Sequence, residues 1–186
     1  MAKQFDAFTE DQRAFITEQP VYFVATSAPG ARINLSPKGM DSLRVIGPNR
    51  LLWLNVTGSG NETAAHLAQD PRMTVMWCSF SQRPLIMRAY GTARMVHLGD
   101  AGWADLAAHL PALPGARQIC DMTVDLVQSS CGFAVPFMEF QQDRPVLRDW
   151  AEQKGPEGLA AYWADRNRSS IDGLPTGIDA NLKDRI

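Results

Sequence analysis

The chain has 186 residues, of which 45% are hydrophobic and 20% are charged, so it is long enough for one domain with a substantial core. Eighteen basic and 20 acidic residues give a net charge of -2 without a block of basic residues, which argues against a nucleic-acid footprint or a polybasic membrane patch. The N-terminal stretch MAKQFDAFTEDQ is polar, and no run approaches the ~18 apolar residues of a membrane span. We therefore expect a cytoplasmic protein with a small-molecule substrate, and neither nucleic acid nor membrane as a partner.

The first predicted element is an amphipathic helix over residues 9–18. Thr9 and Gln12 have the spacing of a capping box, and Phe15 and Ile16 provide the apolar face behind it. After this helix, β-branched and aromatic runs separated by turn residues predict four strands, at 21–28, 32–36, 42–46 and 50–56.

The segment TGSGNETAAHL (57–67) is a glycine-rich turn that leads directly into a second predicted helix. Ser59 and Glu62 stand in the S-x-x-E order of a capping box, so we expect about three helical turns before Asp70-Pro71 ends the helix. The first turn leaves backbone amides without helical partners, and the neighbouring glycines leave them open to a phosphate. A capped helix that binds only water is the other interpretation, because the segment matches neither a Walker loop nor G-x-G-x-x-G.

Two more long strands are predicted at 72–80 and 85–97, and Gly91 marks a bulge or bend in the second of them. A helix over 100–110 follows, and a last long strand covers 120–130. About seven strands with local connections predict a mainly β protein with peripheral helices, built on an antiparallel barrel.

Beyond residue 136 the pattern becomes helical, at 145–153 and 156–166. Both segments carry large apolar residues, among them Trp150 and Trp163, that a small barrel does not need to cover. We expect them to form a C-terminal extension that packs on the barrel or at a subunit interface.

The cysteines and histidines show no spacing typical of a disulfide framework or a metal site. We expect reduced thiols, with Cys131 as a small packed side chain, and no bound metal. We expect His66 on the surface of the second helix and His97 at the end of a strand.

The order of strand RLLWLNV, glycine-rich turn, short helix ending in DPR and strand MTVMWCSF resembles the pyridoxamine 5'-phosphate oxidase-like family of FMN-binding split barrels. The next strand, LIMRAYGTARMV, continues this resemblance. It implies a split β-barrel FMN domain with its N-terminal helix at 1–135, and a helical extension at 136–186. It also implies a homodimer with FMN at the interface, and a flavoprotein that works as an oxidoreductase.

The resemblance assigns Asn61, Glu62 and Thr63 to the positions where the oxidases proper hold the phosphate with Ser-Arg-Lys. Glu62 would repel a phosphate unless the capping box turns it back towards Ser59, which is the interpretation that we favour. Ser59, Gly60, Asn61 and Thr63 would then provide amide and side-chain donors.

The positive charge must then come from other segments. Lys38, two residues after Ser36 in SPKG, could reach the phosphate or the N1 and C2 carbonyl edge of the flavin, and otherwise it is a surface lysine. Arg44 and Arg88 are the other candidates, although Arg88 could equally pair with a buried acid. Trp53 and Trp77 lie on the strands that flank the glycine-rich turn; we interpret both as core residues, and stacking near the isoalloxazine is the other interpretation.

The C-terminal region shows no counterpart of the closing segment that gives the vitamin B6 oxidases their substrate arginine and histidine. The substrate and the catalytic residues are therefore not identified. Two alternatives stay open: a non-catalytic module that binds or senses flavin, deazaflavin or haem on the same barrel, and a vestigial dimer with an empty site.

Overall fold

The computed structural model describes residues 2–182, in which eight strands are combined with four α-helices and one 3₁₀ helix (Ile178–Asn181). The helices are α1 (Glu10–Glu18), α2 (Glu62–Leu67), α3 (Trp103–Ala107) and α4 (Val146–Arg166). The strands are β1 (Lys3–Phe5), β2 (Tyr22–Thr26), β3 (Asn34–Lys38), β4 (Leu43–Gly47), β5 (Arg50–Val56), β6 (Arg72–Cys78), β7 (Leu85–His97) and β8 (Ala116–Cys131).

The strands pair in the order β3-β2-β6-β7-β8-β5-β4, always antiparallel, and β1 adds to the far end of β8. β3 and β4 follow each other in the chain but lie at opposite edges of the sheet. The chain from Lys38 to Leu43 reaches at most about 18 Å when extended, whereas the edges of a flat sheet of this width lie about 29 Å apart. The sheet must therefore curl, and the predicted mainly β, antiparallel split barrel is confirmed.

The barrel is filled by one apolar cluster. Phe15 from α1 and the indole rings of Trp53 and Trp77 lie in this cluster, so both tryptophans are core residues as expected. Thr9 caps α1, and its side chain and that of Gln12 form both bonds of the predicted capping box.

Residues 146–182 pack a second apolar cluster against the barrel. α4 changes direction at Gly155, whose φ of 62° and ψ of 175° are not helical, so it consists of two segments like those expected from the sequence. Trp163 and Ile178 are buried in this cluster, and the indole Nε1 of Trp163 donates to Thr57 Oγ1 over 2.8 Å.

Two expectations about individual side chains are wrong. His66 is buried, with 1% of its surface exposed, because α2 packs between β2 and β7 and the His66 Nδ1 lies 3.1 Å from Thr26 Oγ1. Cys131 is exposed rather than packed, because it is the last residue of β8. Cys78 and Cys120 are buried free thiols.

Several element boundaries also differ from the prediction. α3 is only five residues long and begins at Trp103 rather than at residue 100, because Gly102 before it adopts a left-handed φ of 88°. β8 begins at Ala116, four residues before the predicted start, and β1 was not predicted. No helix within residues 2–182 has the length and apolar character needed to cross a bilayer.

The predicted irregularity at Gly91 is confirmed as a register shift in the β7–β8 ladder. A Cβ atom at Gly91 would lie 2.0 Å from the carbonyl oxygen of Thr123, which is backbone and cannot rotate away. The bulge therefore depends on glycine because the two strands approach too closely for any side chain.

Gly91→Ala should lower the free energy of unfolding by about 1 to 3 kcal/mol, as overpacking does in a closed core. The control is Gly99→Ala, where the added Cβ meets no atom within 4 Å. Urea denaturation monitored by circular dichroism measures both variants. Equal midpoints for Gly91→Ala and Gly99→Ala would contradict the close approach of the strands.

Candidate functional site

A cavity of about 620 Å³ lies between the edge strand β3 and the C-terminal end of β5, beside the connection from β3 to β4. Its walls are β3 with the following turn (36–40), the end of β5 and the glycine-rich turn with the start of α2 (57–63). Leu147 and Ile171, from the C-terminal extension, complete the lining. This volume lies within the range of about 300 to 1,000 Å³ that is typical of cofactor and small-molecule sites.

Lys38, the last residue of β3, extends into this cavity. Its Nζ lies 4.9 Å from the centroid of the Trp53 ring, a cation–π contact. Burial, and to a smaller extent the nearby charge of Arg117, lower the pKa of Lys38 to about 8. Lys38 is therefore a cation that the fold holds at a cost, in a place where an anion would stabilise it.

Arg117 provides a second cation to the same cavity, and sequence reasoning missed it. Only 3% of its surface is exposed, and burial lowers its pKa to about 10. Its Nη1 donates to Asn167 Oδ1 over 2.7 Å, and its Nη2 donates to Gly60 O over 2.9 Å and to Asn55 Oδ1 over 3.3 Å. All three acceptors are neutral.

The position of Arg117 results from a second bulge. In the β5–β8 ladder Asn55 pairs with Gln118 and Val56 pairs with Ala116, so Arg117 has no residue opposite it. An extra residue in one strand re-aims its side chain, and here the guanidinium is turned into the cavity. The sequence could have indicated Arg117 only if β8 were predicted to begin at residue 116, because Arg117 then stands at the start of a strand.

Three buried polar atoms at this cavity have no hydrogen-bond partner within residues 2–182: Ser36 Oγ, Asn61 Nδ2 and Arg117 Nε. Asn61 is otherwise fixed, because its Oδ1 accepts from Asn55 Nδ2 over 3.1 Å. Unpaired buried donors cost free energy, and three of them on residues that line one cavity favour a polar ligand at this place.

The predicted capping box of α2 is wrong. Asn61 is the N-cap, without a side-chain capping bond, and the helix runs for six residues rather than three turns. The Glu62 carboxylate instead accepts from the backbone N–H of Ile171, at 3.1 and 3.2 Å. The Glu62 carboxylate thus bonds to the C-terminal extension instead of turning back to Ser59. A local sequence motif cannot reveal a partner that lies so far away in the chain.

The other predicted residues of the turn line the cavity. Ser59 and Gly60 lie along its edge, and Thr63 is buried at the start of α2. Thr63 Oγ1 accepts from Asn34 Nδ2 over 3.1 Å, which leaves its hydroxyl proton as a donor.

Arg44 and Arg88 do not belong to this lining. Arg44 borders a second cavity of about 650 Å³ and binds Asp41 through two bonds of 2.6 Å, which raise the pKa of Arg44. Arg88, on β7, has its Nη1 3.4 Å from Ser130 Oγ. The acidic partner considered for Arg88 is not found within residues 2–182.

Within residues 2–182, no group of three or more His, Cys, Asp and Glu side chains could hold a metal ion. The polar lining of the cavity consists of Arg32, Lys38, Arg117 and Glu62 together with amide and hydroxyl groups.

The curled antiparallel sheet and the cavity beside its edge strand β3 are typical of the class of split-barrel proteins. The family model described as pyridoxamine 5'-phosphate oxidase matches residues 8–131, and the chain belongs to this family. The resemblance seen in the sequence is thereby confirmed.

A curated relative supports this assignment over nearly the whole chain. The chain is 34% identical over 200 aligned residues to the pyridoxamine 5'-phosphate oxidase family protein ustO of Aspergillus flavus. The alignment covers 97% of this chain and 80% of that protein.

Two solved structures have the same fold. A putative pyridoxamine 5'-phosphate oxidase from Lactobacillus delbrueckii aligns with a TM-score of 0.53 and 20% identity, over 66% of this chain and 94% of that one. The FAD binding protein from Mycobacterium smegmatis aligns with a TM-score of 0.50 and 12% identity, over 67% of this chain and 96% of that one.

The titration of Lys38 tests the electrostatics of the cavity without any ligand. Its Nζ should lose its proton near pH 8, below the ordinary lysine range, in a titration monitored by NMR of ¹⁵N-labelled lysine. In Arg117→Gln the midpoint should move up, because a neighbouring positive charge is removed.

Arg94→Gln is the matched control, because Arg94 is exposed and pairs with Asp121 on the surface. A Lys38 midpoint that is the same in Arg117→Gln and Arg94→Gln would mean that the two cations do not interact.

Proposed function

We propose that the protein is an FMN-binding flavoprotein of the split-barrel type that transfers hydride or electrons between FMN and a small molecule. The observation that carries the proposal is the convergence of Lys38 and three unpartnered buried polar atoms, on Ser36, Asn61 and Arg117, on one cavity. FMN has a phosphate and a ring edge rich in acceptors, and both match this set of donors.

The residues expected from the sequence divide the binding between them. Asn61 Nδ2, the Thr63 hydroxyl and the backbone amides of Ser59 and Gly60 would donate to the phosphate. Lys38 would neutralise whichever anionic edge lies beside it, the phosphate or the N1 and C2 carbonyl edge.

Bound FMN would supply the hydride and electron-transfer chemistry. The chain's own part is to bind, to orient and to compensate charge. A cation held beside the flavin favours the reduced form, because reduction develops negative charge at N1. The Glu62 carboxylate is held by the Ile171 amide, which limits its repulsion of an anionic ligand.

We further propose a homodimer with the FMN site at its interface. Large apolar side chains are exposed at two places: Ile33 and Leu35 on or beside the edge strand β3, and Phe133, Phe137, Met138 and Phe140 in the segment before α4. A second subunit that covers them would bury apolar surface. Arg44 and Arg88 would contribute to a flavin only across such an interface.

Under this proposal residues 1–135 form the FMN domain and residues 136–186 an extension that packs on it. Family membership and the fold shared with the FAD binding protein of M. smegmatis support a flavin as the ligand. A non-catalytic module for flavin, deazaflavin or haem is the second candidate, since fold alone does not fix activity.

An absorbance spectrum tests the proposal directly. The purified protein, incubated with excess FMN and desalted, should retain flavin bands at about one flavin per chain, as expected when each chain contributes one cavity. Oxidation of a reduced nicotinamide beyond one equivalent per flavin would favour an enzyme, and retained flavin without turnover would favour the module. A protein that retains no FMN would contradict the FMN-dependent function and leave a deazaflavin or haem module or a vestigial site.

Thr63→Glu should abolish FMN retention while the fold stays intact. The new carboxylate would lie where the ligand phosphate is proposed to bind, and like charges repel strongly in a buried site. Thr63→Ser, which keeps the hydroxyl donor, is the control and should retain FMN. Flavin content is read from the absorbance spectrum and folding from circular dichroism. Unchanged flavin content in a folded Thr63→Glu protein would remove the turn from the site.

A further inference from the structure

Arg117 differs from the other buried groups of the barrel because its charge is not compensated. Arginine is almost never fully buried unless it is paired. All arginine–carboxylate ion pairs within residues 2–182 are formed by other arginines, such as Arg44 with Asp41 and Arg50 with Asp121. A buried guanidinium with only neutral acceptors leaves a full positive charge facing the cavity.

Asn167, from the C-terminal extension, holds this guanidinium in place. It is fully buried, and its side-chain amide is used at both ends. Its Oδ1 accepts from Arg117 Nη1 over 2.7 Å, and its Nδ2 donates to the carbonyl oxygen of Gly58 over 3.1 Å. One side chain of the extension thus connects the cation to the glycine-rich turn.

Two more bonds fix the same region from the extension. Asn181 Nδ2 donates to the backbone carbonyl of Arg117. Trp163 Nε1 donates to Thr57 Oγ1, whose hydroxyl donates to the carbonyl oxygen of Gly115 over 2.7 Å. The start of the turn and the start of β8 are therefore bonded to residues 163–181.

The charge of the lining selects the class of ligand. Arg32, Lys38 and Arg117 border the cavity, whereas Glu62 is the one acidic residue among its described lining and already accepts from Ile171. A phosphate monoester carries a charge of about -1.5 to -2 near neutral pH and has three acceptor oxygens. It compensates two buried cations better than a carboxylate does, and it suits the planar donors of arginine.

We infer that Arg117 binds the phosphate monoester of the ligand and that Asn167 is its positioning residue, so that the C-terminal extension is a component of the ligand site. This inference rests on the proposed function in so far as FMN is the phosphate monoester. A separate phosphorylated molecule bound beside the flavin has the same chemistry, and the experiment distinguishes the two sources.

The test compares FMN with riboflavin, which lacks the phosphate, by titration of flavin fluorescence. In Asn167→Asp a carboxylate of nearly the same shape neutralises Arg117. The preference for FMN over riboflavin should fall by about tenfold or more, as expected when a charge-assisted bond to the ligand is lost. Gln153→Glu, which makes the same chemical change at an exposed site on α4, should keep the preference.

Two variants of Arg117 separate a binding role from a structural one. Arg117→Gln should lose the preference for FMN, and Arg117→Lys, which keeps the charge, should restore part of it. Circular dichroism and thermal unfolding show which variants fold. If folded variants lose FMN and riboflavin to the same extent, the preference is unchanged and Arg117 does not bind the phosphate of FMN; the inference is then wrong unless the phosphate experiment assigns the phosphate to a second molecule.

Inorganic phosphate supplies the remaining arm. If the wild-type protein binds neither flavin, the proposed function fails, and the inference is tested by phosphate binding in ³¹P NMR. Binding that is lost in Arg117→Gln supports the inference, and absence of binding to the wild type overturns it. If phosphate binds beside FMN without competing, and does so only with Arg117 present, the phosphate belongs to a second molecule and the role of Arg117 is supported.

Discussion

The short connection between β3 and β4 is the constraint on which the rest of the structure depends. It keeps the two edges of a wide antiparallel sheet close together, and it does so with Met40 and Asp41 in the left-handed region, at φ values of 61° and 54°. Such conformations cost free energy for residues with a side chain. The Ser42 hydroxyl, which donates to Gly39 O over 2.6 Å and lies 2.8 Å from Tyr22 OH, helps to hold the turn. The curl of the sheet and the cavity beside β3 both follow from this connection.

The cavity costs the protein free energy when no ligand is bound. Lys38 reaches it from β3 and Arg117 from the bulge of β8, so two positive charges are partly removed from water in one place. Unpartnered donors on Ser36 and Asn61 add to this cost. Proteins leave buried polar groups without hydrogen-bond partners mainly at functional sites, where a ligand removes the free-energy penalty. An anionic, acceptor-rich cofactor meets all of these requirements together.

The extension changes what the family assignment means for this chain. The family model ends at residue 131, whereas Asn167 and Asn181, which hold Arg117, lie beyond it. The alignment with the A. flavus relative covers 97% of the chain and so includes most of this extension. The barrel thus provides the shape of the site, while its charge is organised partly by residues that the barrel fold does not require.

Local sequence patterns were sufficient to predict seven of the eight strands within residues 2–182, the capped helix α1 and the bulge at Gly91, because each depends on neighbours in the chain. Together with the resemblance to the family, these patterns also indicated that the glycine-rich turn and Lys38 belong to the candidate site, and both line the cavity. They could not indicate Arg117, because a bulge in the β5–β8 ladder decides where its side chain points. They assigned the wrong partner to Glu62, because Ile171 lies 109 residues away in the chain. They could not find Asn167, because Arg117 lies 50 residues away and the two meet only after the chain has folded. Periodicity reports which face of an element is buried, whereas the pairing of single polar groups is settled by tertiary contacts.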